Sequence, residues 1–225
     1  MINFSVDWLP ILLSFKLALL TTILLLVLGL PLCYFMAHSR HIGVRILEVL
    51  CLLPLVFPPT VLGFYLLMIF SPNFAFGHFL KSHFNFQLAF SFGGLLFASV
   101  LYNLPFVVQP LLAGFRSLPK NLQAASFLMG KGHAETLFRV LLPNMKGTLW
   151  AAIVLIFVHT LGEFGVVLMI GGNISGETKV VSIAIYEAVE MMDYHTANTY
   201  ALIMIAFALT ALLTLRGISI FRYKS

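Results

Sequence analysis

The chain has 225 residues, of which 60% are hydrophobic and only 9% are charged. Ordinary soluble domains carry about 25% charged residues, so composition excludes a water-soluble fold, which could not hide this much apolar surface. The net charge of +5 does not indicate nucleic-acid binding, because the basic residues stand between apolar stretches and form no run or face.

Five apolar stretches predict membrane-spanning helices, since about 20 helical residues cross the hydrocarbon core and satisfy their own backbone hydrogen bonds. In chain order the predicted spans are about 9–37, 46–70, 88–114, 147–170 and 197–221. The chain is therefore predicted to be one all-α membrane domain covering residues 1–225. The first stretch is too long for a cleavable signal peptide and has no basic segment before it, so we expect it to remain as an anchor.

The distribution of Lys and Arg predicts the orientation. Segments 38–45, 115–146 and the C-terminal tail hold ten of these residues, namely Arg40, Arg45, Arg116, Lys120, Lys131, Arg139, Lys146, Arg216, Arg222 and Lys224. The opposite segments hold only Lys81 and Lys179. By the positive-inside rule the N-terminus is predicted to be periplasmic and the C-terminus cytoplasmic.

Three prolines, Pro54, Pro58 and Pro59, lie within the second predicted span. Each lacks an amide donor and disfavours helix just before it, which predicts a break near Phe57 to Thr60. Broken helices are tolerated at bilayer depth where they are buried in protein or line a cavity, so one interpretation is that this break lines a path through the membrane. The alternative is a helix that is kinked only for packing.

The longest predicted cytoplasmic loop, about 115–146, has helical patterns of its own. Residues 122–129 form helices well and are ended by Gly130, and residues 135–142 form a second amphipathic piece, with Pro143 marking its end. A loop of this kind is too polar to span a membrane and too structured in pattern to be a linker.

This loop resembles the EAA loop of ABC importer permeases. The residues that carry the resemblance are Gln123, Ala124, Ala125, Gly130, Leu142 and Pro143. The resemblance implies that the loop forms a coupling helix, which docks into a groove of a cytoplasmic ATPase subunit. Gln123 stands where glutamate is usual, so docking is expected without an ion pair from this position. The alternative is an amphipathic surface loop of an unrelated membrane protein.

The resemblance extends over nearly the whole chain. Segments 53–63, 161–165 (Leu-Gly-Glu-Phe-Gly) and 172–178 (Gly-Asn-Ile-Ser-Gly-Glu-Thr) are similar to the molybdate-type permeases of the sulfate/molybdate group. Sulfate permeases share Gly-Glu-Phe-Gly, while the continuation favours molybdate or tungstate. The resemblance implies a type I importer permease fold, a homodimer in a bacterial inner membrane, and a periplasmic protein that delivers the oxyanion. ATP and Mg belong to the partner ATPase.

Glu163 falls within the fourth predicted span, where an unpaired carboxylate is costly. An ionised carboxylate would repel an oxyanion, so we expect Glu163 not to bind substrate but to hold the helix near a gate, through a hydrogen bond with His159 four positions earlier. A purely structural pair is the alternative. The residues predicted to form the path or gate are Pro58, Pro59, Thr60, Gly162, Glu163 and Phe164.

Other functions predict features that this sequence does not show. An ion-coupled secondary transporter would carry intramembrane charge chains and repeat symmetry. An intramembrane enzyme would need a nucleophile–base or metal constellation, and the histidines have no metal-ligand spacing. The chain lacks a phosphate-binding Gly-rich motif, so no reaction and no cofactor of its own are expected. A sulfate or thiosulfate permease remains the alternative within the resembled group.

Overall fold

A computed structural model describes residues 6–39 and 41–222, without the side chains of Lys120 and of 215–222. Of the ten predicted cytoplasmic cations, Arg40 and Lys224 lie outside the described residues, as do the side chains of Lys120, Arg216 and Arg222. The helices of the described chain are α1 (Leu9–His38), α2 (Ile42–Leu52), α3 (Pro59–Phe70), α4 (Ala75–Phe84), α5 (Phe92–Ser117), α6 (Lys120–Leu128), α7 (His133–Thr136), α8 (Leu142–Asn144), α9 (Lys146–Leu161), α10 (Gly165–Gly171), α11 (Val181–Glu190) and α12 (Tyr194–Arg222). These residues contain no strand, which confirms the predicted all-α class.

Three helices are long and apolar enough to cross a membrane, namely α1, α5 and the 194–214 part of α12. The number rises to five if two bent pairs each form one span. One pair is 42–55 with α3, bent by 107°, and the other is 133–144 with α9, bent by 86°. The first pair covers the predicted second span, whereas residues 133–144 of the second pair lie in the predicted cytoplasmic loop.

The second stretch breaks where its prolines predict. A 3-10 turn, Leu53–Leu55, follows α2, and α3 begins only at Pro59 after an extended Pro58 (ψ 135°). Neither Pro58 nor Pro59 has an amide hydrogen to continue the helical ladder. The 107° bend is far sharper than the kink of a packing helix.

The fourth stretch departs from the prediction of one continuous helix over 147–170. Helix α9 ends at Leu161, and residues 162–164 separate it from α10. Gly162 ends the helix with φ −90° and ψ 0°, and the Phe164 backbone (φ −127°, ψ −61°) is not helical. The 16 residues of α9 extend about 24 Å, short of the hydrocarbon thickness of about 30 Å. Helices α9 and α10 together follow the predicted stretch 147–170, with three residues between them.

The predicted second helical piece of the long loop is longer than expected. It runs from α7 through a π-helical turn, Leu137–Leu141, to α8, so Pro143 lies inside it and does not end it. The π-helical turn directly precedes Leu142, and the helical piece ends at Asn144, one residue after Pro143. The chain turns at Met145, with φ −116° and ψ 22°.

Helices α1 and α5 pack closely along their length and form the centre of the molecule. A Cβ on Gly29 would lie 2.9 Å from Val107 Cγ2, so the approach of the two helices requires glycine at this position. Buried residues form one large cluster at each end of this pair. The first joins α1, α2 and α5 to the 137–145 segment, and the second joins α1 and α5 to α3 and α10.

The start of α1 and the end of α5 lie at opposite ends of the molecule. Near the start of α1, Tyr200 Oη donates to the Asp7 carbonyl oxygen (2.9 Å), and Ser14 Oγ accepts from Val181 N (2.8 Å). Helices α1 and α12 thus begin at the same end, and α12 packs on α11 and α9. At the other end, Arg116 binds both carboxylate oxygens of Glu48 at 3.0 and 2.7 Å.

Candidate functional site

The two helix breaks meet in space. A Cβ on Gly165 would lie 2.9 Å from Pro59 Cβ and 3.3 Å from Thr60 N, so the start of α10 contacts the start of α3 through backbone. One turn further along α3, a Cβ on Gly63 would lie 2.7 Å from Met169 Cβ. We call the region formed by residues 56–60 and 162–165 the break junction. It brings together the two segments that the sequence predicts for the path.

Thr60 is the polar side chain that the 56–60 segment exposes. No hydrogen bond joins its hydroxyl to a described residue. The break leaves fewer free amides than the prolines suggest, because the amides of Val61 and Leu62 both donate to the Pro58 carbonyl (2.9 and 3.3 Å). Val56 is 77% exposed. The junction therefore offers the Thr60 hydroxyl in an otherwise apolar surface.

Glu163 turns into the protein and away from this surface, with 4% of it exposed. Its Oε2 accepts from Asn103 Nδ2 (3.1 Å), and Asn103 Oδ1 bonds with His159 Nδ1 (2.9 Å). The direct His159–Glu163 hydrogen bond predicted from their spacing is thus wrong: Asn103 stands between the two side chains. The reason is that α9 ends at Leu161, so Glu163 does not follow His159 by one helical turn.

The Asn103 amide sets the proton positions in this cluster. Its Nδ2 donates both to the Ser99 carbonyl (2.8 Å) and to Glu163, so its Oδ1 can only accept. His159 Nδ1 must then carry the hydrogen. We call Ser99, Asn103, His159 and Glu163 the Asn103 network. Glu163 Oε1 and Ser99 Oγ are buried there without a hydrogen-bond partner.

Sequence reasoning missed Asn103, although an amide inside the third predicted span was a signal that could have found it. Such side chains are rare in membrane helices unless they bind a partner across helices. Asn103 is fully buried and links α5 to the second helix break. Ser182 Oγ adds a link from α11 by donating to the Glu163 carbonyl at 2.6 Å.

The 172–178 motif forms a compact loop beside the junction. Thr178 Oγ1 donates to the Gly171 carbonyl (2.7 Å) and accepts from Ile174 N (3.1 Å). Glu187 accepts from Asn173 Nδ2 (3.0 Å) and forms an ion pair with Lys179. The Lys179 ammonium holds the pKa of the Glu187 carboxyl below its ordinary value. These contacts fix the end of α10 to α11.

The long loop carries the second candidate surface, at the end of the molecule that holds Arg116. Ala124 and Ala125 are exposed on α6, and Gly130 has a left-handed backbone with φ +78°. Leu128 is 89% and Met129 68% exposed, so apolar side chains project at the tip. We call residues 124–130 the loop tip.

Two other residues of the predicted coupling set face the protein and not the tip. Gln123 is half-buried and bonds Tyr34, and Leu142 is buried in the core cluster. Pro143 is exposed, but on the second helical piece. The structure thus separates the predicted set into an exposed part and a part that attaches the loop to the body. Within residues 6–39 and 41–222, no three His, Cys, Asp or Glu side chains are grouped to hold a metal ion.

The sequence matches one family model over residues 29–221, described as "Binding-protein-dependent transport system inner membrane component". Among curated proteins, it is 43% identical over 210 residues to the molybdenum transport system permease protein ModB of Azotobacter vinelandii. The alignment covers 93% of this chain and 92% of that protein. It is 30% identical to the sulfate transport system permease protein CysT of Salmonella typhimurium, covering 84% of this chain and 68% of that one.

The fold is similar to a solved one. A structure of the MetNI methionine ABC transporter in inward-facing conformations matches with a TM-score of 0.70 and covers 94% of both chains. The two sequences are 15% identical, so this likeness concerns the fold alone. It confirms the predicted type I ABC importer permease fold.

Proposed function

Because the chain belongs to the family of binding-protein-dependent transport system inner membrane components, we propose that it is the permease subunit of an ABC importer for molybdate or tungstate. The similarity to the Azotobacter permease carries the substrate assignment, since 43% identity extends over nearly the full length of both chains. The whole chain, 1–225, acts as one permease domain in this proposal.

The orientation in the membrane follows from the charges at the two ends of the molecule. The end with the loop tip also has Arg45, Arg116 and Arg139, while the other end has Lys81 and Lys179. The positive-inside rule makes the loop-tip end cytoplasmic. The N-terminus is then periplasmic and the C-terminus cytoplasmic, in a bacterial inner membrane.

The loop tip is the proposed docking surface for a cytoplasmic ATPase subunit. Its most exposed apolar residues, Leu128 and Met129, belong to none of the core clusters of the described residues, and the small Ala124 and Ala125 leave room for a neighbouring surface. An apolar surface at the cytoplasmic end suits burial against another protein. ATP and Mg are held by that subunit, and this chain performs no reaction.

The break junction is the proposed substrate path, on the two-fold axis of a homodimer. Thr60 supplies a neutral donor there, and neutral donors suit transit because a strong fixed charge would hold a dianion and slow its release. Glu163 is turned away from the path surface, which avoids repulsion of the oxyanion. In this role Pro58, Pro59 and Gly162 maintain the breaks, and the Phe164 side chain lies half-buried at the gate.

Transport assays test the proposal directly. The tagged permease would be purified with its associated subunits, reconstituted in proteoliposomes, and supplied with its binding protein, ATP and radioactive molybdate. We expect uptake that depends on ATP and on the binding protein, and that excess tungstate suppresses. Absence of a co-purifying ATPase, or uptake without ATP, would refute the proposal.

Sulfate or thiosulfate is the second candidate substrate, favoured by the 30% identity to the Salmonella sulfate permease. The same vesicles distinguish the candidates when labelled sulfate replaces molybdate. Sulfate uptake that excess molybdate leaves unchanged would assign the chain to the second candidate. The lower identity and coverage of that relative make this the weaker candidate.

A further inference from the structure

One hydroxyl joins the first membrane helix to both helices of the long loop. Tyr34, one turn before the end of α1, accepts a hydrogen bond from Gln123 Nε2 of α6 at 2.8 Å. The same oxygen bonds His133 Nδ1, the first residue of α7, at 3.0 Å. Thus a single atom of α1 is bonded to both sides of the loop tip.

The donors and acceptors around this atom are compatible. The Gln123 amide nitrogen can only donate, which leaves the single Tyr34 hydrogen for His133 Nδ1. In this arrangement His133 Nδ1 accepts the hydrogen of the Tyr34 hydroxyl. Every group in the chain Gln123–Tyr34–His133 therefore has a partner of the right kind.

The Tyr34 ring is held in place by its neighbours. His38 stacks on it with centroids 4.5 Å apart and bonds the Tyr34 carbonyl through Nδ1 at 2.7 Å. Phe115, buried at the end of α5, contacts it edge-on at 6.0 Å. The hydroxyl is thus presented from a fixed ring, so a pull on it acts on the end of α1.

Hydrogen bonds join the two loop helices into one unit. Ser126 of α6 and Thr136 of α7 share a buried hydroxyl–hydroxyl hydrogen bond of 2.8 Å, and Lys131 N donates to the Ser126 carbonyl. A force on the loop tip therefore reaches both helices of the unit.

Attachment of α6 to the body is sparse. Of its apolar side chains, Leu122 packs against the core, whereas Phe127 and Leu128 are exposed. An open groove of about 620 Å³ flanks the Tyr34 side of the loop, lined by Tyr34, Phe35, His38, Ser39, His41, Gln123 and His133. Apolar packing does not fill this groove. The hydrogen bonds of Tyr34 are therefore the contacts that join α1 to the loop across it.

We propose that Tyr34 is a positioning residue that transmits movement of the loop tip to α1. This inference rests on the proposed function, in which an ATPase moves the tip. Helix α1 is 30 residues long, about 45 Å, and packs on α5, α9 and α11. A displacement of its cytoplasmic end is therefore carried along one continuous helix, in which Pro31 lies three residues before Tyr34.

The test is the Tyr34→Phe variant, which removes the hydroxyl and keeps the ring. The reconstituted complex is assayed for ATP hydrolysis and for molybdate uptake in the same vesicles. We expect complex assembly, melting temperature and hydrolysis close to wild type, because Gln123 and His133 can turn to water. Molybdate moved per ATP should fall roughly 2- to 10-fold, the range that one net hydrogen bond covers.

Two further variants sharpen this result. Tyr65→Phe is the matched control. Tyr65 is exposed on α3, and its ring contacts Phe64 edge-on. Its hydroxyl forms no hydrogen bond with a described residue. It should leave the ratio unchanged. Gln123→Leu combined with Tyr34→Phe should be no worse than Tyr34→Phe alone, because both remove the same link.

Three outcomes would overturn the inference: an unchanged ratio in Tyr34→Phe, additive losses in the double variant, or loss of assembly in Tyr34→Phe, which would make the residue structural. Failure of the wild-type complex to take up molybdate is a different result. It contradicts the proposed function itself, on which the role of Tyr34 depends.

Discussion

Thr60 and Glu163 lie on neighbouring helix breaks, but their side chains face opposite environments. Thr60 is exposed at the break junction, while Glu163 is buried against Asn103. The intramembrane residues thus divide into one that contacts the path surface and one that holds the break to α5. This division follows from the α9 end at Leu161, which rotates Glu163 away from the face of His159.

Thr60→Val tests the path assignment, because valine keeps the shape and removes the hydroxyl. We expect uptake to fall by an amount equal to one hydrogen bond, about 0.5–1.5 kcal/mol, with assembly and binding-protein docking intact. Thr210→Val is the matched control, since that hydroxyl bonds its own helix at the Phe207 carbonyl. Initial rates of molybdate uptake in vesicles measure both, and equal rates in the two variants would remove Thr60 from the path.

Asn103→Leu tests the network, because leucine cannot bond Glu163 or His159. A buried carboxyl without its donor costs about 1–3 kcal/mol or more, so the purified variant should melt at a lower temperature. Glu163→Gln should lower the melting temperature less, since the glutamine amide oxygen can still accept a hydrogen bond from Asn103 Nδ2. Asn73→Leu, at an exposed position, is the control.

Both network variants should keep the wild-type preference among molybdate, tungstate and sulfate, measured by competition during uptake. A changed preference in Glu163→Gln would place this side chain in the path and contradict its assignment to the scaffold.

At the scale of elements, what the sequence predicts depends on whether the cause is local. The break at Pro58 and Pro59 was predictable because proline acts on its own backbone. The break at 162–164 was not, since glycines alone are tolerated in membrane helices and the partner that fixes Glu163, Asn103, lies 60 residues away in the chain. The sequence also did not predict that Tyr34 connects the loop to α1, because this contact joins residues that are far apart in the chain.

The loop tip gives the prediction that belongs to this scale. Gly130 has φ +78°, so a β-branched residue there would strain the turn that ends α6, at about 1–2 kcal/mol or more. Gly130→Val should therefore distort the tip, release the ATPase from the membrane and reduce transport. The measurement is the amount of ATPase that co-purifies with the tagged permease.

Gly132→Val is the matched control for this change. Gly132 has φ −76°, and a Cβ at either glycine would meet nothing within 4 Å, so the two variants differ in backbone strain and not in space. We expect Gly132→Val to retain the ATPase. Equal retention in both variants would contradict the assignment of the 124–130 turn to docking.

At the scale of the whole molecule, the two ends differ in charge as well as in structure. One end gathers the loop tip, Arg116 and the end of α1, and the other gathers the 172–178 loop, Lys81 and the start of α12. The order of the apolar stretches predicted this arrangement, because helices joined by short segments must alternate in direction. The distribution of Lys and Arg indicates which end faces the cytoplasm. Labelling can test this proposed orientation.

Single cysteines at exposed positions report the side of each end. Ser82 and Ser175 are exposed at one end and Ser117 at the other, while the native Cys33 and Cys51 are buried and free. An impermeant maleimide applied to spheroplasts should label Ser82→Cys and Ser175→Cys at once. Ser117→Cys should react only after permeabilisation, since the positive-inside rule retains the end with most Lys and Arg in the cytoplasm. The unmodified protein controls for the native thiols. Immediate labelling of Ser117→Cys with protection of Ser175→Cys would reverse the proposed orientation. It would also reverse the side of the membrane from which an ATPase can reach the loop tip.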